Sequence, residues 1–137
     1  MTDYLRNDTI QAALLAYMQS KTDITSELGS SSDIKETQWQ GRDFDYPAVR
    51  IRIISNTPVE NSGCRHDVNI GIQVFSEQAS SLEASQIAGI IGNTLHRKQF
   101  SSDSLNFALW VTDTPGAVRS DIQTWRSEVL LRGIVSG

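Results

Sequence analysis

Cys64, His66 and Asp67 put a thiol, an imidazole and a carboxylate into one short stretch, the raw materials of a nucleophile, its base and an orienting acid. Such groups act only if they converge in space. Val68, Ile70, Ile72 and Val74 alternate with Asn69, Gly71 and Gln73, the period of a half-buried β-strand. On a strand, Cys64 and His66 point to one face and Asp67 to the other, so the simpler expectation is a solvated strand end. A zinc site from Cys64, His66 and His96 lacks the fourth ligand and the paired-cysteine spacing of structural zinc. Asp43 and Asp45, flanking Phe44, offer a hard cation two carboxylates and no further oxygen ligands, which suits a solvated turn better. Gly89 and Gly92 sit inside a helical pattern instead of between a strand and a helix start, so they do not form a phosphate-cradling loop. With Ala84 and Ala88, Gly92 makes a small-residue stripe that lets a helix approach a sheet closely. No catalytic, cofactor-binding or metal-ligating set emerges, and a protein without enzymatic activity or cofactor is expected.

Other residues suit binding better than catalysis. Trp125 follows the apolar set of its strand and is expected in the core. Trp110 is out of phase with Leu105, Phe107, Leu109 and Val111, which puts it on the wetter face, where a tryptophan calls for a covering loop or a partner surface. Arg50 and Arg52 alternate with Val49, Ile51 and Ile53 and are expected on the wetter face of their strand, either solvated or facing acids across a subunit boundary. Leu15, with Ala12 and Ala16, lies opposite the apolar stripe of its helix and marks a second contact surface there. Trp110, Arg50, Arg52 and Leu15 are therefore the interface candidates.

These residues need elements to hold them. Asn7 or Asp8 can cap a helix ending near Lys21, with Ile10, Ala13, Leu14, Tyr17 and Met18 on one face. Residues 22–32 have loop composition, with Ile24 and Leu28 as anchors. Residues 34–40 read as a short strand, 41–46 as a polar and aromatic connection, and 48–55 as a strand opened by Pro47. The turn chemistry of 56–63, with Pro58, Asn61, Ser62 and Gly63, joins that strand to the one at 65–75 as a long hairpin. Ser80 and Glu83 have the form of a capping box, and Ala84, Ile87, Ala88, Ile91, Gly92 and Leu95 share one face of the helix that follows. Residues 99–104 read as a polar link, 105–111 as a strand, Pro115-Gly116 as a turn, and 122–135 as a last strand apolar on both faces. Leu130 and Ile134 there need cover on the far side. The expected fold is α+β: an antiparallel or mixed sheet of four to five strands, with two helices packed mainly on one face.

The 137 residues, 39% of them hydrophobic, support one domain over 1–137 and not two. A net charge of −4 disfavours a nucleic-acid surface, which needs clustered Lys and Arg. The single cysteine permits no internal disulfide, and no secretory leader pattern opens the chain. No apolar run approaches the roughly 20 residues of a bilayer span, so a soluble, cytoplasmic protein is expected. No internal repeat is visible.

In order and spacing, the Ile10 to Met18 stripe, the "YPAVRIRI" strand, the "RHDVNIGIQVFSE" strand, the "EASQIAGIIGNTL" helix and the final "WRSEVLLRGIV" strand resemble the tail-terminator and tail-completion proteins of tailed bacteriophages. The resemblance spans about residues 8–135. It implies a virion protein, assembled in the host cytoplasm, that forms a homohexameric ring at the head-proximal end of the tail and ends tube polymerisation. Its implied partners are further copies of itself, the tail tube protein, the head-completion or neck proteins and the sheath protein, with DNA only as passing cargo. Another neck or baseplate component of similar size is the alternative. Six copies of a −4 chain carry about −24, and an acidic lumen would repel DNA phosphates. Glu60, Asp113 and Asp121 are the candidates to line it.

Overall fold

The two periods in the sequence resolve into one sheet and one helical layer. The computed structural model describes residues 5–26, 34–36, 47–59, 65–77, 81–119 and 124–137, of which 34–36 are described by their backbone alone. The helices are α1 (Asn7–Gln19), α2 (Thr22–Thr25) and α3 (Leu82–Leu95). The strands are β1 (Ile34–Glu36), β2 (Ala48–Pro58), β3 (Arg65–Ser76), β4 (Lys98–Ser102), β5 (Leu105–Asp113), β6 (Val118–Arg119) and β7 (Trp125–Ser136). They form one sheet in the order β1-β2-β3-β7-β5-β4, with β6 beside the start of β7. All pairs are antiparallel except β1 with β2, so the sheet is mixed.

Strand alternation sends Val49, Ile51 and Ile53 of β2, Val68, Ile70, Ile72 and Val74 of β3, and Val129, Leu131 and Val135 of β7 to one face. Ile10, Ala13, Leu14 and Met18 of α1 and Ala84, Ile87, Ala88, Ile91 and Leu95 of α3 bury themselves against that face, following the 3.6-residue helical period. This apolar sandwich is the core, and removing it from water supplies the main favourable term in folding. Helix α1 packs on β1 and β2 at one end of the sheet and on β4 at the other. The sheet therefore curls around the helices, and among the described residues no helix packs on its opposite, convex face.

Several local expectations change. The N-cap of α1 is Arg6, not Asn7 or Asp8, and Asn7 is already helical. The Arg6 guanidinium instead pairs with the Asp8 carboxylate on the surface. The stretch 22–25 forms a helical turn where a loop was expected, though Ile24 is an anchor as predicted, fully buried. The polar link after α3 is strand β4, and β6 adds a further strand, so the sheet exceeds the four to five expected. Ser80 and Leu28 lie outside the described residues. Ser81 occupies the N-cap of α3 without a side-chain cap bond, and Glu83 accepts a 2.7 Å hydrogen bond from the Ser76 hydroxyl at the end of β3.

Two glycines are required by close approach. A Cβ at Gly133 of β7 would stand 2.3 Å from Leu109 Cδ2 and 2.8 Å from the Ala108 carbonyl oxygen. Gly71 of β3 leaves room on the convex face for Ile54, whose Cδ1 would lie 3.1 Å from an added Cβ. Ile54 itself is the extra residue of a bulge in β2, between the pairs Ile53↔Ile70 and Ser55↔Asn69.

Candidate functional site

The Cys64, His66, Asp67 stretch does not assemble a triad. His66 and Asp67 point to opposite faces of β3 as the strand period requires, and Cys64 lies outside the described residues. His66 departs from the expected solvated strand end: it is 1% exposed, beneath the start of α1. Its Nε2 accepts the Leu5 N–H at 3.2 Å, which assigns the proton to Nδ1. Nδ1 stands 2.6 Å from Asn56 Oδ1 and donates to it. The Asn56 amide then donates to the Leu5 carbonyl at 2.8 Å and to Asn7 Oδ1 at 2.9 Å. His66 and Asn56 thus tie the entry of α1 to the β2–β3 hairpin, and burial pushes the His66 pKa below its ordinary value.

His96 is equally structural. Its Nδ1 accepts the Val111 N–H at 2.9 Å, next to the irregularity where β5 skips Thr112 in its register with β7. Among the described residues, no group of three His, Cys, Asp or Glu side chains is placed to hold a metal ion. Asp43 and Asp45 lie outside that set. An open groove of about 410 Å³ runs between α3 and β5, lined by Ala88, Gly89, Gly92, Asn93, His96, Val111 and Thr114. The helix surface there leaves open space around Gly89.

The helix-free face carries the arrangement best suited to function. By register, Arg52, Gly71 and Leu130 stand in one row, Asn69, Arg132 and Trp110 in the next, and Asp67, Ile134 and Ala108 in a third. Leu130, Ile134, Ala108 and Trp110 are half-buried, and Arg52 and Arg132 are exposed. Ile54 and Val118, 47% and 48% exposed, are two of the three large apolar side chains that stand out most into solvent among the described residues. Both belong to this face. Trp110 lies where the sequence phase put it, opposite Arg132, and Leu130 and Ile134 are the far-side residues expected to need cover.

The remaining candidates are divided. Arg52 is exposed on the convex side as expected. Arg50 shares that side by register but is only 3% exposed, and donates to the Val49 carbonyl at 3.0 Å. Its expected solvated position is thereby corrected. Trp125 faces the helix side but is half-buried instead of fully enclosed, with the Arg119 guanidinium 5.2 Å from its ring centroid. Leu15 is half-buried on α1 and Asp113 is exposed at the end of β5. Glu60 and Asp121 lie outside the described residues. Sequence reasoning missed the structural role of Asn56, and only its place in a long hairpin loop hinted at turn chemistry.

A single mixed sheet with helices packed on one face defines the class: an α+β sheet-and-helix-layer domain. Among solved structures, this fold is shared with a chain of the virion of a native gene transfer agent particle, at a TM-score of 0.74 and 15% identity over 93% of this chain and 95% of that chain. A second solved chain, whose description states no function, matches at a TM-score of 0.61 and 12% identity over 97% and 96% of the two lengths. No family model and no curated protein sequence matches. Among the described residues no helix is long and apolar enough to cross a membrane.

Proposed function

We propose that this protein is a structural component of a phage-like virion and, within it, the tail terminator. It forms a ring at the head-proximal end of the tail, ends tube polymerisation and offers a joining surface to the head-completion proteins. The observation that carries this reading is the fold shared with the gene transfer agent virion chain across nearly the whole of both chains. It extends the resemblance borne by the motifs from Ile10 to the final strand. The outer sheet face, with half-buried Trp110, Leu130 and Ile134 and exposed Ile54 and Val118, supports an assembly protein, because apolar side chains gathered on an open surface suit a partner. The proposed activity is binding without turnover. The proposed partners are further copies, the tube protein, the neck proteins and the sheath, with DNA passing through the ring.

The test is the solution mass by light scattering over a concentration series, followed by electron microscopy of any assembled species. A closed ring, and shortened tubes when the protein is added to polymerising tube protein, are the expected results. A strict monomer that leaves tube length unchanged would overturn the terminator role in favour of another neck or baseplate position. At the level of a single residue, Trp110→Ala should weaken assembly while the circular dichroism melt of the monomer stays within a few degrees. An unchanged assembly mass would remove Trp110 from the interface.

A further inference from the structure

We infer that the convex sheet face receives the β3–α3 corner of a second copy, head to tail, with Ile54 and Leu82 as the apolar contacts and arginines meeting glutamates around them. This rests on the ring reading for the nature of the partner and adds which two surfaces meet.

Charge is the first argument. By strand register the convex face carries the exposed Arg52, Arg65 and Arg132 and the half-buried Arg126, against the exposed Asp113 and the half-buried Asp67 and Glu128. Among the described residues, the exposed charges of this face are thus three arginines against one carboxylate. A cationic face on an acidic protein finds its complement on another copy of the same chain. Arg126 is occupied by Glu128 at 3.7 Å, whereas Arg52 and Arg132 have no carboxylate within ion-pairing distance among the described residues. The acids are also not scattered. The Ser76 to Glu83 hydrogen bond gathers the exposed Glu77 and Leu82 and the half-buried Glu83 at one corner where β3 meets α3.

The apolar residues supply the second argument. Leu82 is 62% exposed, the most exposed large apolar side chain among the described residues, and it sits beside this acidic pair. Ile54, lying across Gly71 toward Leu130, is its counterpart among the arginines. Each surface is an apolar centre with a charged surround, and the two surrounds are opposite in sign. The surfaces are different parts of one molecule, so the contact is heterologous, the kind that closes into a ring when its rotation permits.

Two variants isolate the two sides. Ile54→Asp disables the face and leaves the corner intact; Glu77→Gln with Leu82→Ser disables the corner and leaves the face intact. Circular dichroism melts establish that both remain folded. At concentrations where the wild type assembles, each variant alone should run near the monomer mass of 15.2 kDa by light scattering, with self-association weakened at least tenfold. Mixed in equal amounts, they should form a dimer of twice that mass, because one intact face meets one intact corner. A folded variant that keeps the wild-type assembly mass, or a mixture that stays monomeric, overturns the pairing while leaving the ring reading standing. A wild type that is monomeric throughout, with Ile54→Asp failing to bind tail tube protein, overturns both and assigns the face to the tube.

Discussion

His66 shows how a residue that looks chemical can be wholly structural. Its Nε2 must stay unprotonated to accept from Leu5, and burial removes the water that would stabilise a charged ring. The folded pKa lies below the unfolded one, so between the two the unfolded chain binds more protons and stability rises with pH. The His66 contribution is present in full above the ordinary histidine range and is lost as pH falls through the depressed folded pKa. Thermal melts should be flat from about pH 7 to 8 and decline as pH drops below about 6.5. In His66→Gln that upper part of the acid slope should flatten, and an unaltered slope would assign it to other groups. Gly133 gives the second prediction at this scale. Gly133→Ala drives a methyl onto the Ala108 carbonyl oxygen, which the ladder to β7 holds in place. A loss of about 2–3 kcal/mol is expected, read as a lower urea midpoint at unchanged slope. Neither role was legible in the sequence. The alternation around His66 set its face correctly, but its burial depends on Leu5, 61 positions away along the chain.

At the scale of elements, what was legible followed the two hydrophobic periods. The α1 and α3 stripes and the phases of β2, β3, β5 and β7 have repeated apolar positions, and each buried the face that the period chose. Strand β4 was missed for a specific reason. It joins β5 through Asp103 and Ser104, with φ of 49° and 67°, and these two central residues in the left-handed region make a tight hairpin turn of the type that favours Asn-Gly. Without a glycine, and with Ser101, Ser102, Asp103 and Ser104 in a row, the stretch reads as a polar link. Ser104→Gly should relieve the left-handed strain and raise stability by about 0.5–1 kcal/mol, or roughly 2–4 °C in Tm. A lower Tm would show that the Ser104 side chain contributes more than its backbone costs. The missed strand also completes a contact no local pattern announces. The rings of Tyr17 and Phe100 stack at 3.6 Å and those of Phe100 and Phe107 at 4.9 Å, and the Ser102 hydroxyl donates to the Ala13 carbonyl at 2.7 Å. These contacts fasten α1 to the β4 edge and account for the curl of the sheet.

At the scale of the whole molecule, curl and charge act together. Wrapping the sheet around α1 and α3 buries most of one face and turns the other outward, where Arg52, Arg132 and Ile54 are exposed. Net charge alone suggested an acidic protein that avoids phosphates; among the described residues, register gathers the exposed Arg52, Arg65 and Arg132 on one face with Asp113 as its exposed carboxylate. This changes what salt should do. Six acidic copies that merely repelled one another would assemble more readily as salt screens the repulsion. An interface that sets Arg52 and Arg132 against Glu77 and Glu83 should instead loosen, because the screening length falls from about 10 Å at 0.1 M to about 3 Å at 1 M. Exposed ion pairs contribute only about 0.2–1 kcal/mol each, so two of them give a weakening of about thirtyfold at most, with Ile54 and Leu82 retaining the rest. Light scattering at fixed protein concentration across that range of sodium chloride reads the sign directly. Assembly that strengthens with salt would mean that net repulsion dominates and that the arginine face is not where the copies meet. Assembly that weakens in the wild type but becomes insensitive to salt in Arg52→Gln with Arg132→Gln would locate the dependence in those two side chains.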